Sequence, residues 1–108
     1  MNPIINIVAS DYGYNLNFTL QDSQGNLFSL TGSSSLLFRV QRYGNAHLKF
    51  ASPMVVDSLA AGTCHYTVNQ GDFDLAGQYV AEIQVNFSTS ESITFSNITL
   101  IASPRVPY

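Results

Sequence analysis

Apolar and polar side chains alternate with a period of two along most of this chain. Small polar residues and glycines interrupt the alternation roughly every eight to twelve positions, the spacing expected of a sandwich or barrel. No segment carries the three-to-four-residue apolar recurrence of a helix. A first strand is predicted from Ile4 to Ala9, with Ile5, Ile7 and Ala9 on one face, and Asp11-Tyr12-Gly13 ends it. In the second, Tyr14, Leu16, Phe18 and Leu20 face the core while Asn15, Asn17, Thr19 and Gln21 stay wet. Asp22 to Asn26 supplies the residues of a tight reversal, and Leu27-Phe28-Ser29-Leu30 resumes the pattern as a hairpin or short meander.

After a break at Thr31-Gly32-Ser33-Ser34, a long strand runs from Leu36 to Arg42 with Leu36, Phe38 and Val40 inward. A turn at Tyr43-Gly44-Asn45 leads to a short return strand, His47 to Phe50, and Pro53 opens a weaker segment through Asp57. Thr63 to Val68 places Cys64, Tyr66 and Val68 on the core side. Beyond the connection from Asn69 to Gly77, the residues Tyr79, Ala81, Ile83, Val85 and Phe87 form the longest clean apolar face, which predicts a central strand. A polar loop from Ser88 to Ser92 then leads into a final strand, Ile93 to Ile101. There Ile93 and Phe95 share one parity and Ile98 and Leu100 the other. A bulge near Ser96-Asn97 reconciles them, since one extra residue reverses the facing of everything after it.

The 108 residues suffice for one core and no second one. We therefore expect one domain over residues 1–101, followed by an extended proline-containing tail over 102–108. Pro104, Arg105, Val106, Pro107 and Tyr108 are the candidate partner contacts of that tail, which is either disordered or laid along a neighbouring subunit. Composition adds that 45% of residues are hydrophobic and only 10% charged, against about 25% charged in an average soluble domain. A surface so poor in charge suits a protein held in a larger assembly. The net charge of -3, with basic residues only at Arg39, Arg42, Lys49 and Arg105, offers no footprint for nucleic acid. The opening residues lack the pattern of a secretory signal and no run is long enough to span a bilayer, so a product of the cytoplasm without membrane contact is expected. Cys64 is the sole cysteine, which excludes an internal disulfide.

Asp74-Leu75-Ala76-Gly77-Gln78-Tyr79 has the form of a tyrosine corner, in which a Tyr near the start of a strand returns its hydroxyl to backbone a few residues upstream. Asp74, Gly77 and Tyr79 are its candidate residues, and Ala81 stands where antibody domains place a cysteine. The fold class expected is all-β, an immunoglobulin-like antiparallel sandwich of about seven to nine strands without a disulfide.

From about Ile5 to Ile101 the chain resembles the N-terminal domain family of the phage baseplate upper protein. The likeness rests on Leu16-Asn17-Phe18-Thr19-Leu20 with Asp22-Ser23-Gln24-Gly25, Leu30-Thr31-Gly32 and Leu37-Phe38-Arg39-Val40, then Gly62 to Tyr66, Gly71-Asp72-Phe73 and Gly77-Gln78-Tyr79. The resemblance implies an immunoglobulin-type module that attaches receptor-binding or fibre parts to a phage tail. Its partners would be other virion proteins and copies of itself, its location the virion, assembled from protein made in the host cytoplasm. Capsid decoration is an alternative in the same class.

The residues point to no enzyme, cofactor or metal. Cys64 and His65 are neighbours on a strand and point to opposite faces, His47 lies elsewhere, and no metal-ligand spacing exists. Asp72 and Asp74 are read as turn formers, and Asn17, Asn86 and Asn97, which head glycosylation sequons, as solvent-facing strand residues. A reading from a different class is a module for host-surface glycans, with Tyr12, Tyr14 and Tyr43 in or beside predicted turns as the contact aromatics.

Overall fold

The computed structural model describes residues 3–45, 47–87 and 91–104. Among them the alternation becomes eight strands and no helix. These are β1 (Ile4–Val8), β2 (Asn15–Thr19), β3 (Ser33–Arg42), β4 (Leu48–Pro53), β5 (Val55–Ser58), β6 (Thr63–Thr67), β7 (Gly77–Phe87) and β8 (Ser92–Ser103). They form one sheet of five strands, ordered β1-β8-β7-β3-β4, and one of three, ordered β2-β6-β5. The chain crosses between sheets after β1, β2, β4 and β6, and turns back within a sheet after β3, β5 and β7. This is the connectivity of an immunoglobulin-like sandwich with the larger sheet widened at both margins.

Period two decides what lies inside. Leu16 and Phe18 of β2 and Cys64 and Tyr66 of β6 meet Phe38 and Val40 of β3, Tyr79, Ile83 and Val85 of β7, and Ile98 and Leu100 of β8. All are buried, and no described polar or charged residue is. β7 takes the central place that its apolar face predicts, flanked by β8 and β3. The bulge also lies where parity requires it. Ala81 opposes Ile98 and Ile83 opposes Phe95, so Glu82 faces both Ser96 and Asn97. Asn97 absorbs the extra residue at φ 67°, a left-handed conformation that Asn tolerates better than most side chains.

Four expectations about the strands and the tail need correction. The sandwich is not antiparallel throughout, because β1 runs parallel to β8 from Ile4 opposite Thr99 to Val8 opposite Ser103. The chain leaves β1 for the other sheet, so no hairpin dictates the direction of that pair. Residues 27–30 form no strand, and a single bridge joins Gln21 and Leu27. Their backbone groups bond to irregular segments instead: the Phe28 amide donates to the Leu20 carbonyl at 2.9 Å and the Leu30 amide to the Leu59 carbonyl at 2.7 Å. Strand β3 starts at Ser33 inside the expected break. At the other end β8 runs to Ser103, so Ala102 is core and the tail begins later than residue 102.

The tyrosine corner has its expected hydrogen bond. Tyr79 is fully buried, its hydroxyl donates to the Leu75 carbonyl at 2.7 Å, and its ring meets Phe73 edge-on at 5.1 Å. Gly77 has φ 137°, and a β-carbon there would lie 3.1 Å from Nη2 of Arg42, which donates to the Ala76 carbonyl at 2.9 Å. Asp74 is not part of this device: it is exposed and pairs with Lys49 at 3.0 Å.

Tyr79→Phe removes the hydroxyl and leaves the Leu75 carbonyl without its donor. The expected loss is about 1–2 kcal/mol, read from the urea midpoint with an unchanged slope. Gly62→Ala tests a second backbone constraint. The added carbon would sit 2.2 Å from the Phe28 carbonyl oxygen, at a residue with φ 69° whose own carbonyl takes the Leu20 amide at 2.9 Å. Its expected cost is at least about 1 kcal/mol, in the same measurement.

Candidate functional site

The residues that do not enter the core divide unequally between the two outer faces. On the three-stranded sheet the outward side chains of β2 and β6 are Asn15, Asn17 and Thr19, and Thr63, His65 and Thr67. Thr67 Oγ1 donates to Asn15 Oδ1 at 2.7 Å, and His65 Nδ1 lies 2.8 Å from Oδ1 of Asp57 on β5. This face is mostly polar, with Val55 of β5, opposite His65, as its exposed apolar residue. The five-stranded sheet is different. It turns Ile4 and Val8 outward from β1, Ile101 from β8, Val80 from β7, Leu37 from β3 and Leu48 from β4.

A shallow groove of about 900 Å³ runs across this larger face. Ile4, Val80, Leu48 and Tyr43 supply its apolar lining, Gln41, Gln78, Asn97 and Thr99 its hydrogen-bonding groups. Its only charges, Arg39 and Glu82, face each other across the β3–β7 register with Nη1 and Oε1 3.0 Å apart. Both side chains are about one-third exposed, so the pair contributes little stability. Its consequence is that the groove carries no net charge at neutral pH. Ile4 and Tyr43 are each 67% exposed at its two margins. Apolar side chains, neutralised charges and amides on a rigid sheet suit a face that another protein covers.

Of the three tyrosines weighed as glycan contacts, only Tyr43 belongs to this groove. Tyr12 is exposed in the β1–β2 connection, and Tyr14 packs against the core with its hydroxyl buried and unpartnered. The structure therefore does not gather them into one stacking platform. Pro104 is exposed after β8, whereas Arg105, Val106, Pro107 and Tyr108 lie outside the described residues. Sequence reasoning missed the groove although its signal was present: Ile4, Val80 and Thr99 are apolar or weakly polar at outward parity, where hydrated strands carry charges.

It also missed the partner of His65. Strand pairing of β5 with β6 brings Asp57 beside it, across 8 positions of sequence. A histidine oriented by a carboxylate is two-thirds of a nucleophilic triad, but the adjacent thiol of Cys64 points into the core and is fully buried. Among the described residues no group of three or more His, Cys, Asp or Glu stands ready to hold a metal ion. Asp72 serves its turn as predicted, accepting from the Asn69 amide at 2.9 Å and from the Tyr66 hydroxyl.

Burial raises the Cys64 thiol to about 11, with the Asp57 charge adding to the effect. Burial likewise pushes the Tyr66 hydroxyl up to about 12, helped by its bond to Asp72. The hydrogen bond from Lys49 holds the exposed Asp74 below the usual carboxylate range.

No family model matches this chain, and no curated protein sequence matches it. Among solved structures it is similar to the crystal structure of CopC from Methylosinus trichosporium OB3b, with a TM-score of 0.60 and 9% identity over 99% of this chain and 90% of that one. At that identity the likeness speaks for the sandwich fold alone.

Burial raises the Tyr14 hydroxyl as well, and these three groups are expected to weaken the fold at alkaline pH. Their folded values lie above the unfolded ones, so their contribution is whole below the unfolded values and is lost as pH rises. For Cys64 the window runs from 9.0 to about 11, and for Tyr66 from 10.0 to about 12. The urea midpoint is expected to fall steadily above pH 9, and Tyr66→Phe to flatten its slope above pH 10. Cys64 is expected to resist iodoacetamide at pH 8 in the folded protein and to react fully in urea.

Proposed function

We propose that this domain is a non-enzymatic structural component of a phage virion, an immunoglobulin-like assembly and adhesion module of the tail, baseplate or fibre. The observation that carries the reading is the inequality of its two outer faces: one is mostly polar, with Asn, Thr and His side chains, the other a low-charge groove with apolar margins. Function in such a domain resides in a surface, because no described set of side chains converges on a reacting atom. A rigid five-stranded sheet presents its side chains at fixed spacing, so a partner meets a preorganised surface and loses little entropy in docking. The neutral Arg39–Glu82 pair fits repeated contacts in an assembly, where a net charge would make neighbouring copies repel. The likeness of residues 5–101 to baseplate upper protein domains supplies the setting.

Two measurements test this. Mass spectrometry of purified phage particles is expected to detect the chain at a fixed copy number, and its absence from the particles rejects the virion reading. Val80→Glu places an unpaired charge at the centre of the groove and is expected to reduce incorporation by about tenfold or more, with the melting temperature preserved. Thr67→Glu on the opposite face is the control that should incorporate normally. Equal loss in both variants would reject the groove as the contact surface, and locating the density in a particle reconstruction separates tail from capsid.

A further inference from the structure

The four edge strands are not equally protected against pairing with another chain. β4 carries a register shift opposite Val40/Gln41, with Lys49 and Pro53 along it. β5 has only 4 residues, a shift between Val56 and Ser58, and the charged Asp57. Bulges, prolines, charges and shortness are the devices by which sheets avoid edge-to-edge association. β1, at the other side of the sandwich, has none of these within Ile4–Val8, and its register with β8 is unbroken. It is also apolar where it meets water, with Ile4 67% and Val8 39% exposed and Ile101 of the neighbouring strand 39% exposed.

Parity gives this edge its hydrogen-bonding capacity. The Thr99 amide donates to the Pro3 carbonyl at 3.0 Å and the Ala9 amide to the Ser103 carbonyl at 2.8 Å. These flanking bonds assign Pro3, Ile5, Ile7 and Ala9 to the ladder with β8. The backbone groups of Ile4 and Asn6 and the Val8 amide therefore point to a side left open by the described residues, while the Val8 carbonyl accepts from the Asp11 amide at 3.2 Å; Ile4, Asn6 and Val8 direct their side chains onto the outer face of the sheet.

We propose that β1 is the edge through which two copies of this chain pair, antiparallel about a two-fold axis at Asn6. The five-stranded sheets of the two copies then run on as one. The sequence of the edge is symmetric in character about that axis. Ile4 stands opposite Val8 of the second copy and Asn6 opposite Asn6 of the second copy; the Asn6 pair exchanges both of its N–H···O bonds, and in each Ile4–Val8 pair the Val8 amide donates to the Ile4 carbonyl, the Val8 carbonyl being held by Asp11. The apolar pairs cover what is otherwise exposed, and the two Asn6 side chains meet as self-complementary amides. Outward residues of the adjoining strand are Thr99, Ile101 and Ser103, so no like charges meet across the axis. A second copy is the occupant these features favour, since the edge matches its own inverted image in polarity and in charge. β2 is equally regular, but its outward residues Asn15, Asn17 and Thr19 leave no apolar surface to cover. The pairing stands on the geometry of β1 and holds whether or not the chain belongs to a virion.

Sedimentation equilibrium of the full chain from micromolar to millimolar concentration tests it. A reversible monomer–dimer equilibrium is expected. Asn6→Lys sets like charges against each other at the axis and should weaken dimerisation by about tenfold or more, without lowering the melting temperature. Asn17→Lys adds the same charge to the β2 edge and should leave the equilibrium unchanged. Asn6→Cys should cross-link on mild oxidation, because opposed residues of a hydrogen-bonded pair lie about 5.5 Å apart, within disulfide reach; the buried Cys64 does not compete. A chain that stays monomeric throughout overturns the proposal. So does Asn17→Lys weakening association as much as Asn6→Lys, or an Asn6→Cys that forms no cross-link where the dimer is populated.

Discussion

The two sheets of this domain are held together by a chain of aromatic rings rather than by a covalent bridge, and the rest of the architecture follows from keeping that chain intact. Phe18 and Tyr66, from the smaller sheet, meet Phe38 of the larger one with centroids 5.7 and 5.0 Å away. Tyr66 continues to Phe50, Phe50 to Phe73, and Phe73 to Tyr79 at the corner. Each such contact contributes about 0.5–1.5 kcal/mol beyond the area it buries. Together they join the two sheets without the disulfide of antibody domains, at one of whose positions this chain has Ala81. The corner is thus the terminus of the stack, and the Tyr79 hydroxyl bond orients its last ring.

What was legible in the sequence follows from the range of each interaction. Period-two burial is local, so the inward faces of β2, β3, β6, β7 and β8 could be read from Leu16, Phe38, Tyr66, Tyr79 and Leu100 alone. The bulge was legible for the same reason: Phe95 and Ile98 cannot both face inward without an extra residue between them. The meander from Leu27 to Leu30 misled because its apolar residues imitate a strand, while its backbone partners, Leu20 and Leu59, are non-local. The parallel direction of β1 was hidden because it depends on the last strand, roughly ninety positions away. Candidate chemistry was legible mainly as absence. The groove emerged only once β7, β3 and β8 stood side by side and the outward residues of separate segments became neighbours, as did Asp57 and His65.

A division of labour runs through the surface. The small sheet presents mostly polar side chains, two pairs of which bond to each other. The large sheet joins neutral amides, one closed ion pair and apolar margins, and it ends in one guarded edge and one unguarded edge. Such asymmetry lets a single domain present different surfaces to different neighbours. The low charge of the whole chain, unusual for an isolated protein, is the compositional trace of the same property.

The parallel alignment of β1 with β8 has a mechanical consequence. Tension applied through the two ends of the described chain pulls β1 backward from Ile4 and β8 forward from Ser103. The strands are therefore drawn past each other along their length. Their backbone bonds lie across that direction and share the load, so they must break together; an antiparallel pair pulled at one end would open one bond at a time. The first and last strands thus act as a shear clasp, and the sandwich behind them is shielded until it gives way.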